Sequence, residues 1–383
     1  MRYFIQYPAG TTDLVADALS HFVDDFSVHY SDDSAMIFDS TSSAEQVAQI
    51  PFAKNAFVVL ATTPRKGIDQ SARQFSGMLG REHFPALPGR TPGFRVMAHV
   101  DGELTSLDPA ARRDLERAVS ASTGRRVEPR GKCQEYWLIG RLDLRELMFC
   151  ARLPKPARAK KGRGAVSHEL SSMLVLASRP GDRDVYLDPF AGSGSFVLAR
   201  LDMPAHRIIY SDTDLKSHRD DFPAELTGDQ RVRLLSEDAL TLPSLADGEV
   251  DVIVTDPPWG EYEELPLPYA EFTRAVSESF ARVLDAETGR FVLLCARRGA
   301  PDYRTSLEAA GLAVEATHEI LVNGHPATVF VGGRPSDGRT EREGEREGEG
   351  ERRRDDEGRA ASRQGPLLVG MSTYRRTMRR FSQ

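Results

Sequence analysis

The stretch Asp251-Val-Ile-Val-Thr-Asp256-Pro257-Pro258-Trp259-Gly260 decides how the second half of this chain folds. Its apolar run, Val250 to Val254, predicts a buried strand that ends at an acid followed by two prolines. Proline has no backbone N–H and fixes φ at about −65°, so the strand cannot continue. The prolines therefore predict a stiff turn at the carboxyl end of a strand, where open α/β sheets bind ligands. Taken alone, such a turn is more often structural than functional.

Strands alternate with helices on both sides of this turn, which predicts an α/β fold with a mostly parallel, doubly wound sheet. A helix at 166–178 is expected to precede the first strand. The predicted strands are 185–187, 207–210, 232–235, 250–254 and 289–295, and a hairpin of 313–322 with 327–331 closes the unit. Further helices are expected at 196–201, 268–284 and 302–310.

Residues 1–153 predict a separate α+β region with no catalytic constellation. Its expected strands are 3–7, 35–38, 56–61, 94–100, 136–140 and 146–151, and its helices are 12–22, 44–50, 68–79 and 108–123. Residues 154–164, rich in proline and basic side chains, form a linker by composition. They precede a catalytic domain at 165–333. A charged, disordered tail is expected at 334–383, ending in a basic stretch.

The chain of 383 residues has a net charge of −7, but the charge is unevenly distributed. Residues 1–164 sum to +4 and residues 165–333 to −14, and the strongest basic excess, +8, lies in 122–163. This asymmetry indicates a polyanionic partner held by the first half. The three cysteines lack metal-ligand spacing, so no metal is expected. With no apolar run long enough for a membrane span and no secretory signal, we expect a cytoplasmic protein without membrane contacts.

Four predicted strand ends carry groups suited to an adenosyl ligand. After the first strand comes Asp188-Pro-Phe190-Ala-Gly192-Ser-Gly194-Ser195, a tight turn whose glycines let a ligand approach where a Cβ would collide. The loop lacks a lysine for a polyphosphate, and Asp188 suits an ammonium group better.

The acids after the next two strands complete the expected cofactor site. Asp212 lies 24 residues after Asp188, close to the spacing of about 20 at which an acid accepts from ribose hydroxyls. Asp238 is placed to accept from an adenine amino group, with the Ala239 N–H for a ring nitrogen. Each acid alone is more often a cap or a surface charge, but their recurrence at successive strand ends indicates S-adenosylmethionine.

The turn Asp256-Pro257-Pro258-Trp259 is the predicted catalytic element. The amino group of a base is planar because its lone pair is delocalised into the ring. The Asp256 carboxylate and the Pro257 carbonyl are expected to accept its N–H bonds and align the nitrogen for methyl transfer. Trp259 offers a face on which a flipped base stacks.

These motifs resemble those of class I S-adenosylmethionine-dependent N-methyltransferases and, more narrowly, of THUMP-domain RNA methyltransferases. The resemblance is strong over 164–333 and moderate before it. It implies a Rossmann-like domain with a seven-stranded sheet and an antiparallel last hairpin, preceded by a THUMP-like RNA-binding region. It also implies transfer to guanosine N2, most often in tRNA. In the cofactor loop, Ala191 and Ser195 depart from the family pattern.

Two alternatives remain open at this stage. Trp259 replaces the tyrosine of the tRNA branch, and Glu261 follows where relatives often have a basic residue. Tryptophan also occurs here among adenine-amino methylases, so adenine N6 in RNA or DNA is the first alternative. A non-catalytic RNA-binding protein that retains the cofactor fold is the second. The predicted phosphate contacts are Arg125, Arg126, Arg130, Lys132 and Lys160.

Overall fold

The computed structural model describes residues 1–79, 87, 91–156, 165–219, 222–261 and 264–335. Two compact units are present: the first holds described residues 1–156 and 167–173, and the second holds 165–166 and 174–335. The predictions for 157–164 of the linker, for Lys160 and for the tail from 336 onward lie outside the described residues. None of the helices in the described ranges combines the length and apolar character that crossing a membrane would require.

The first unit combines nine strands with helices, as the α+β prediction expects. Its elements are β1 (Arg2–Gln6), α1 (Thr12–Ser20), β2 (Phe26–Asp32), β3 (Ala35–Ser40), α2 (Ala44–Ala48), β4 (Asn55–Pro64), α3 (Ile68–Leu79), β5 (Gly93–Val100), β6 (Glu103–Leu104), α4 (Pro109–Thr123), β7 (Arg126–Val127), β8 (Gln134–Gly140) and β9 (Glu146–Arg152). One mixed sheet runs in the order β2-β3-β1-β4-β9-β8-β5-β6, with β7 paired beside β5. Helix α5 (His168–Ala177) follows the linker.

Helix α4 shows how local sequence sets an element in this unit. The Asp108 carboxylate accepts bonds from the N–H groups of Ala110 and Ala111, and Pro109 occupies the first turn. The helix ends at Gly124, whose φ of 68° suits glycine. One face of the helix then buries Leu115 in the core beneath the sheet.

The second unit alternates strands and helices, as the sequence predicts. Its elements are β10 (Val185–Asp188), α6 (Ser195–Leu201), β11 (Arg207–Ser211), α7 (Leu215–Arg219), α8 (Ala224–Gly228), β12 (Val232–Leu235), β13 (Val252–Thr255), α9 (Tyr269–Val283), β14 (Arg290–Ala296), α10 (Ala300–Ala309), β15 (Ala313–Val322) and β16 (His325–Gly333). The predicted strand of 250–254 is shifted, because Val250 makes only an isolated bridge with Leu284.

The seven strands form a sheet in the order β12-β11-β10-β13-β14-β16-β15. Strands β10 to β14 pair in parallel, whereas β16 runs antiparallel to both β14 and β15. This confirms the Rossmann-like fold class. The chain builds outward from β10 to β12 and then returns to place β13 on the other side of β10. That reversal is a topological switch point, the place where open α/β sheets bind ligands.

The core of the second unit is made of side chains from its helices and sheet. It includes Leu187, Ile253, Phe272, Phe280 and Phe291, all at most 1% exposed. Leu187 and Ile253 are paired in the register, one residue before the end of β10 and two before the end of β13. Burial of these large apolar groups fixes the two strand ends beside the switch point.

Candidate active site

Asp188 ends β10 and is fully buried at the switch point. Its Oδ1 accepts hydrogen bonds from the Thr255 hydroxyl at 2.7 Å and from the Phe190 N–H at 3.3 Å. Its Oδ2 is also buried but accepts no hydrogen bond from the residues that the structure describes. A buried carboxylate oxygen without a donor is costly, so this atom indicates a place for a ligand that donates hydrogen bonds or carries positive charge.

A second buried acid of the same strand region provides a contrast. Asp184 stands before β10, and its Oδ2 accepts from the Gly181 N–H and from the guanidinium groups of Arg200 and Arg290. Burial of this carboxylate is therefore compensated by protein donors. The chain thus provides cationic partners for the acid at one end of β10 but leaves Asp188, at the other end, incompletely bonded.

The environment of Asp188 raises the pKa of its carboxyl to about 8. Burial is the largest cause, and the negative charges of Asp212 and Asp256 raise the pKa further, whereas the bonds from Thr255 and Phe190 lower it. In the free protein the carboxyl is therefore largely protonated near neutral pH. A cation placed between these three acids would favour the ionised form of Asp188.

The loop after β10 contains two glycines with positive φ, 48° at Gly192 and 77° at Gly194. A Cβ at Gly192 would meet no heavy atom within 4 Å, so the loop borders open space there. At Gly194 a Cβ would lie 2.7 Å from Leu226 Cδ1. Packing against α8 and the left-handed backbone therefore require glycine at 194. The close approach of a ligand to both glycines stays a prediction.

Asp212, directly after β11, holds the glycine loop in place. Its Oδ2 accepts from the Gly192 N–H and its Oδ1 from the Asp214 N–H, both at 2.8 Å. Tyr210 adds a 2.6 Å bond from its hydroxyl to the Gly192 carbonyl. Each oxygen of Asp212 retains a further lone pair for a ligand hydroxyl. The structure therefore gives this acid a positioning role that its spacing alone did not reveal.

The structure places the remaining predicted cofactor residues as follows. Asp238 is exposed after β12, and its Oδ1 accepts from the Leu240 N–H at 2.9 Å. Ala239 is buried, with its carbonyl bonded to the Ser279 hydroxyl. Phe190 packs edge-on against Phe272 of α9, so its ring contributes to the core beneath the loop.

Asp256 and Trp259 are joined by a hydrogen bond that the sequence did not predict. The indole Nε1–H of Trp259 donates to Oδ1 of Asp256 at 2.7 Å. The charge of Asp256 acts on Asp188, so the turn after β13 lies next to the end of β10. The predicted catalytic turn and the predicted cofactor acid are therefore neighbours. Between Asp256 and Trp259, Pro257 is buried and Pro258 is half-buried, so the backbone of the turn has little conformational freedom.

Arg298 is a contact of this turn that sequence reasoning missed. Its Nη2 donates to the carbonyls of Trp259 at 3.4 Å and Gly260 at 3.3 Å, and its Nε lies 3.1 Å from Glu261 Oε1. Glu261 is thus a partner of a guanidinium. No local pattern could have identified Arg298, which follows β14 and lies 37 residues beyond Glu261.

The predicted phosphate contacts belong to the first unit. Three of them are exposed: Arg126, Arg130 and Lys132. Arg125 is half-buried, and its Nη1 donates to the Tyr136 hydroxyl at 3.3 Å, so its guanidinium is partly engaged within the fold. Among the described residues, no group of three or more His, Cys, Asp or Glu side chains is arranged to hold a metal ion.

Comparisons with known proteins show similarity in part of the sequence and in the fold. Residues 224–325 match the family model of an RMKL-like methyltransferase domain. The fold is similar to that of TrmN from Thermus thermophilus, with a TM-score of 0.65 and 21% identity over 87% of this chain and 99% of that one. A search of curated proteins finds no match.

Two further structures share the fold. A methyltransferase-like protein complexed with SAH has a TM-score of 0.62 and 13% identity over 87% of this chain and 98% of that one. A predicted N6-adenine-specific DNA methylase from Listeria monocytogenes has a TM-score of 0.58 and 14% identity over 87% of this chain and 96% of that one. The second unit thus has a methyltransferase-like fold, and these findings support S-adenosylmethionine as its cofactor.

Proposed function

We propose that this protein is an S-adenosylmethionine-dependent RNA methyltransferase that modifies guanosine N2, with tRNA as its substrate. The observation that carries the proposal is the 2.7 Å hydrogen bond from Thr255, the residue before Asp256, to Asp188, which brings the two acids to the same end of the sheet. Asp188 has a buried oxygen that suits a cationic ligand, and Asp256 begins a rigid turn that suits a base amino group. The two halves of a methyl-transfer site are thereby adjacent.

The residues present fit the cofactor. Asp188 Oδ2 would accept from its ammonium group, directly or through water, and Gly192 borders open space at the same loop. Asp212 and Asp238 would accept from the ribose hydroxyls and the adenine amino group, with the Ala239 N–H facing a ring nitrogen. When bound, S-adenosylmethionine supplies a methyl group on a positively charged sulfur.

The turn after β13 would act on the acceptor base. The Asp256 carboxylate and the Pro257 carbonyl accept the two N–H bonds of the amino group, which localises the nitrogen lone pair and orients it. Trp259 donates a hydrogen bond to Oδ1 of the same carboxylate. The indole thereby fixes the carboxylate, and its face remains the proposed stacking surface for a flipped base.

RNA binding is assigned to the first unit. Its α+β architecture is the expected setting for a THUMP-like region, and its exposed basic residues Arg126, Arg130 and Lys132 would bind phosphates. The second unit is strongly acidic and would repel a nucleic-acid backbone. A substrate that is anchored on the first unit and presents one nucleotide to the second fits this division, as tRNA does.

The proposal is tested by identifying the methylated nucleoside. The protein is incubated with methyl-labelled S-adenosylmethionine and, separately, total tRNA, rRNA or duplex DNA, and the products are digested to nucleosides. We expect label in N2-methylguanosine from tRNA. Label in N6-methyladenosine would favour the adenine alternative, and no label in any substrate would favour a non-catalytic RNA-binding protein.

A matched pair of variants tests the role of Asp256. Asp256→Ala should retain cofactor binding and lose transfer by about two or more orders of magnitude, since it removes the group that aligns the amino nitrogen. Asp247→Ala removes an 82% exposed carboxylate of the same unit and should transfer at the wild-type rate. Full activity of Asp256→Ala would remove Asp256 from the mechanism.

A further inference from the structure

A cavity of about 650 Å³ opens beside the Asp256–Gly260 turn. It begins at Gly260 and is lined by the segment 264–269 and by Arg298, Gly299 and Asp302. Its volume lies within the roughly 300–1,000 Å³ of small-molecule sites. No residue predicted for the cofactor lines it, and because Gly260 ends the turn after β13, the cavity adjoins the proposed transfer site.

The walls of this cavity combine apolar surface with charged groups. Leu265, Pro266, Leu267 and Pro268 form a continuous apolar stretch. The carboxylates of Glu264 and Asp302 and the guanidinium of Arg298 supply acceptors and donors on the rest of the lining. Two carboxylates against one guanidinium disfavour a phosphate. A flat, neutral ring would pack its face on the apolar stretch, and N–H donors and an acceptor on its edge would bond to the charged groups.

The cavity is physically tied to the turn after β13. Arg298 lines it and also donates to the carbonyls of Trp259 and Gly260. Tyr269 lines it as well; burial raises the pKa of its hydroxyl, the charge of Asp302 raises it further and the charge of Arg298 lowers it. Asp302 and Arg298 therefore act on one small region at the edge of the proposed transfer site.

We propose that this cavity holds the acceptor guanine and that Asp302 and Arg298 select it over adenine. The Asp302 carboxylate accepts from N1–H, and the Arg298 guanidinium donates to O6, while N2 faces Asp256. This assignment rests on the proposed methyl transfer to guanosine N2. Adenine has an unprotonated N1, which would place a lone pair against the Asp302 carboxylate. Its amino group would place N–H donors against the N–H donors of the Arg298 guanidinium.

Asp302 also has a structural use, which the test has to separate from selection. It lies in the first turn of α10, where a negative charge interacts favourably with the helix dipole. A purely structural aspartate would change the melting temperature without changing the preference between bases. Selection by Asp302 predicts a change in preference that is independent of stability.

The test measures binding of guanosine, inosine and adenosine 5′-monophosphates to the full chain in the presence of S-adenosylhomocysteine, by calorimetry or ligand-observed NMR. Inosine monophosphate keeps N1–H and O6 but lacks the amino group, so it isolates the contacts of Asp302 and Arg298 from that of Asp256. We expect the guanosine and inosine nucleotides to bind about tenfold or more tightly than the adenosine nucleotide. Equal binding of inosine and adenosine nucleotides by the wild type would overturn the proposal.

Asp302→Asn should reduce the guanosine-to-adenosine preference to about threefold or less, because the amide offers a donor where the carboxylate only accepts. Glu308→Gln removes a charge from the same helix at an exposed residue outside the cavity and should keep the wild-type preference. An unchanged preference in Asp302→Asn would also overturn the proposal. The proposed function fails differently: the transfer assay would then leave RNA unlabelled or label adenine N6, whatever the binding ratios.

Discussion

The hydroxyl of Thr255 donates a 2.7 Å hydrogen bond to Oδ1 of Asp188, and this bond joins the last residues of β13 and β10. Both residues are fully buried. The bond fixes the orientation of the Asp188 carboxyl, so that Oδ2 is the oxygen left without a donor from the described residues. The turn that starts at Asp256 is thereby attached, through its preceding residue, to the acid proposed to bind the cofactor.

Cofactor affinity should increase with pH up to about 8. In the free protein the Asp188 carboxyl has a pKa of about 8, whereas a positively charged ligand favours its ionised form. Binding therefore releases a proton below this pH, and affinity rises until the carboxyl is already ionised. Calorimetry with S-adenosylmethionine in buffers of different ionisation enthalpy measures both the affinity and the number of protons released on binding. Asp188→Asn should bind weakly and lose this part of the pH dependence, with only the ligand's own titration remaining.

The same substitution should stabilise the free protein at alkaline pH. The folded-state pKa of Asp188, about 8, is above the ordinary carboxyl value of 3.8, so its contribution to stability is present below 3.8 and lost as pH rises through 8. Asn at this position carries no charge and can still accept the bond from Thr255. The melting temperature of Asp188→Asn relative to wild type should therefore rise between about pH 5 and 8 and then level off. Asp238→Asn, at an exposed acid, should show no such trend.

The strongest local patterns predicted the fold of the second unit well. The apolar runs at β10, β11 and β14 are mostly buried strands, and the run at 232–235 is the half-buried β12. The predicted helix 268–284 is α9, one residue shorter at each end. Their success has a physical reason. A strand covered on both faces is continuously apolar, and a turn with two prolines ends it sharply.

Elements with little burial were missed. Strand β2 was missed although Phe26, Val28 and Tyr30 alternate with polar residues; it has no fully buried residue and is held at the sheet edge by pairing with β3. Helix α7 also buries no residue. An edge strand takes its hydrogen bonds from a neighbouring strand that the sequence does not identify, and a short helix without buried residues has no apolar stripe to mark it.

The sequence predicted where the acids of the candidate site lie but not which groups they contact. Strand ends placed Asp188, Asp212 and Asp256 at one edge, because parallel strands align their carboxyl ends. The bonds that distinguish these acids are long-range or depend on side-chain rotamers: Thr255 to Asp188, Trp259 to Asp256, and Arg298 to the turn. A single sequence gives no information about such pairings.

Trp259→Phe should slow transfer without weakening cofactor binding. Phenylalanine keeps a stacking face but removes the N–H that donates to Asp256, so the carboxylate loses its fixed orientation. We expect kcat to fall by about tenfold, the cost of a lost charge-assisted bond of roughly 1.5 kcal/mol. Trp137→Phe is the matched control, since that indole also donates to a carboxylate, Glu135, but lies in the first unit. It should lower stability and leave kcat unchanged.

RNA affinity should depend on the exposed basic residues of the first unit in a salt-dependent way. Replacing Arg126, Arg130 and Lys132 together by glutamine removes three proposed phosphate contacts. Each lost contact should reduce the slope of log affinity against log salt by about 1 and weaken binding of all RNA sequences alike. Filter binding of tRNA between 50 and 200 mM salt measures the slope, and S-adenosylmethionine affinity should be unchanged. Arg113→Gln, at an exposed residue of α4 outside the basic segment, should keep the wild-type slope. A triple variant with the wild-type slope would show that phosphates bind elsewhere on the chain.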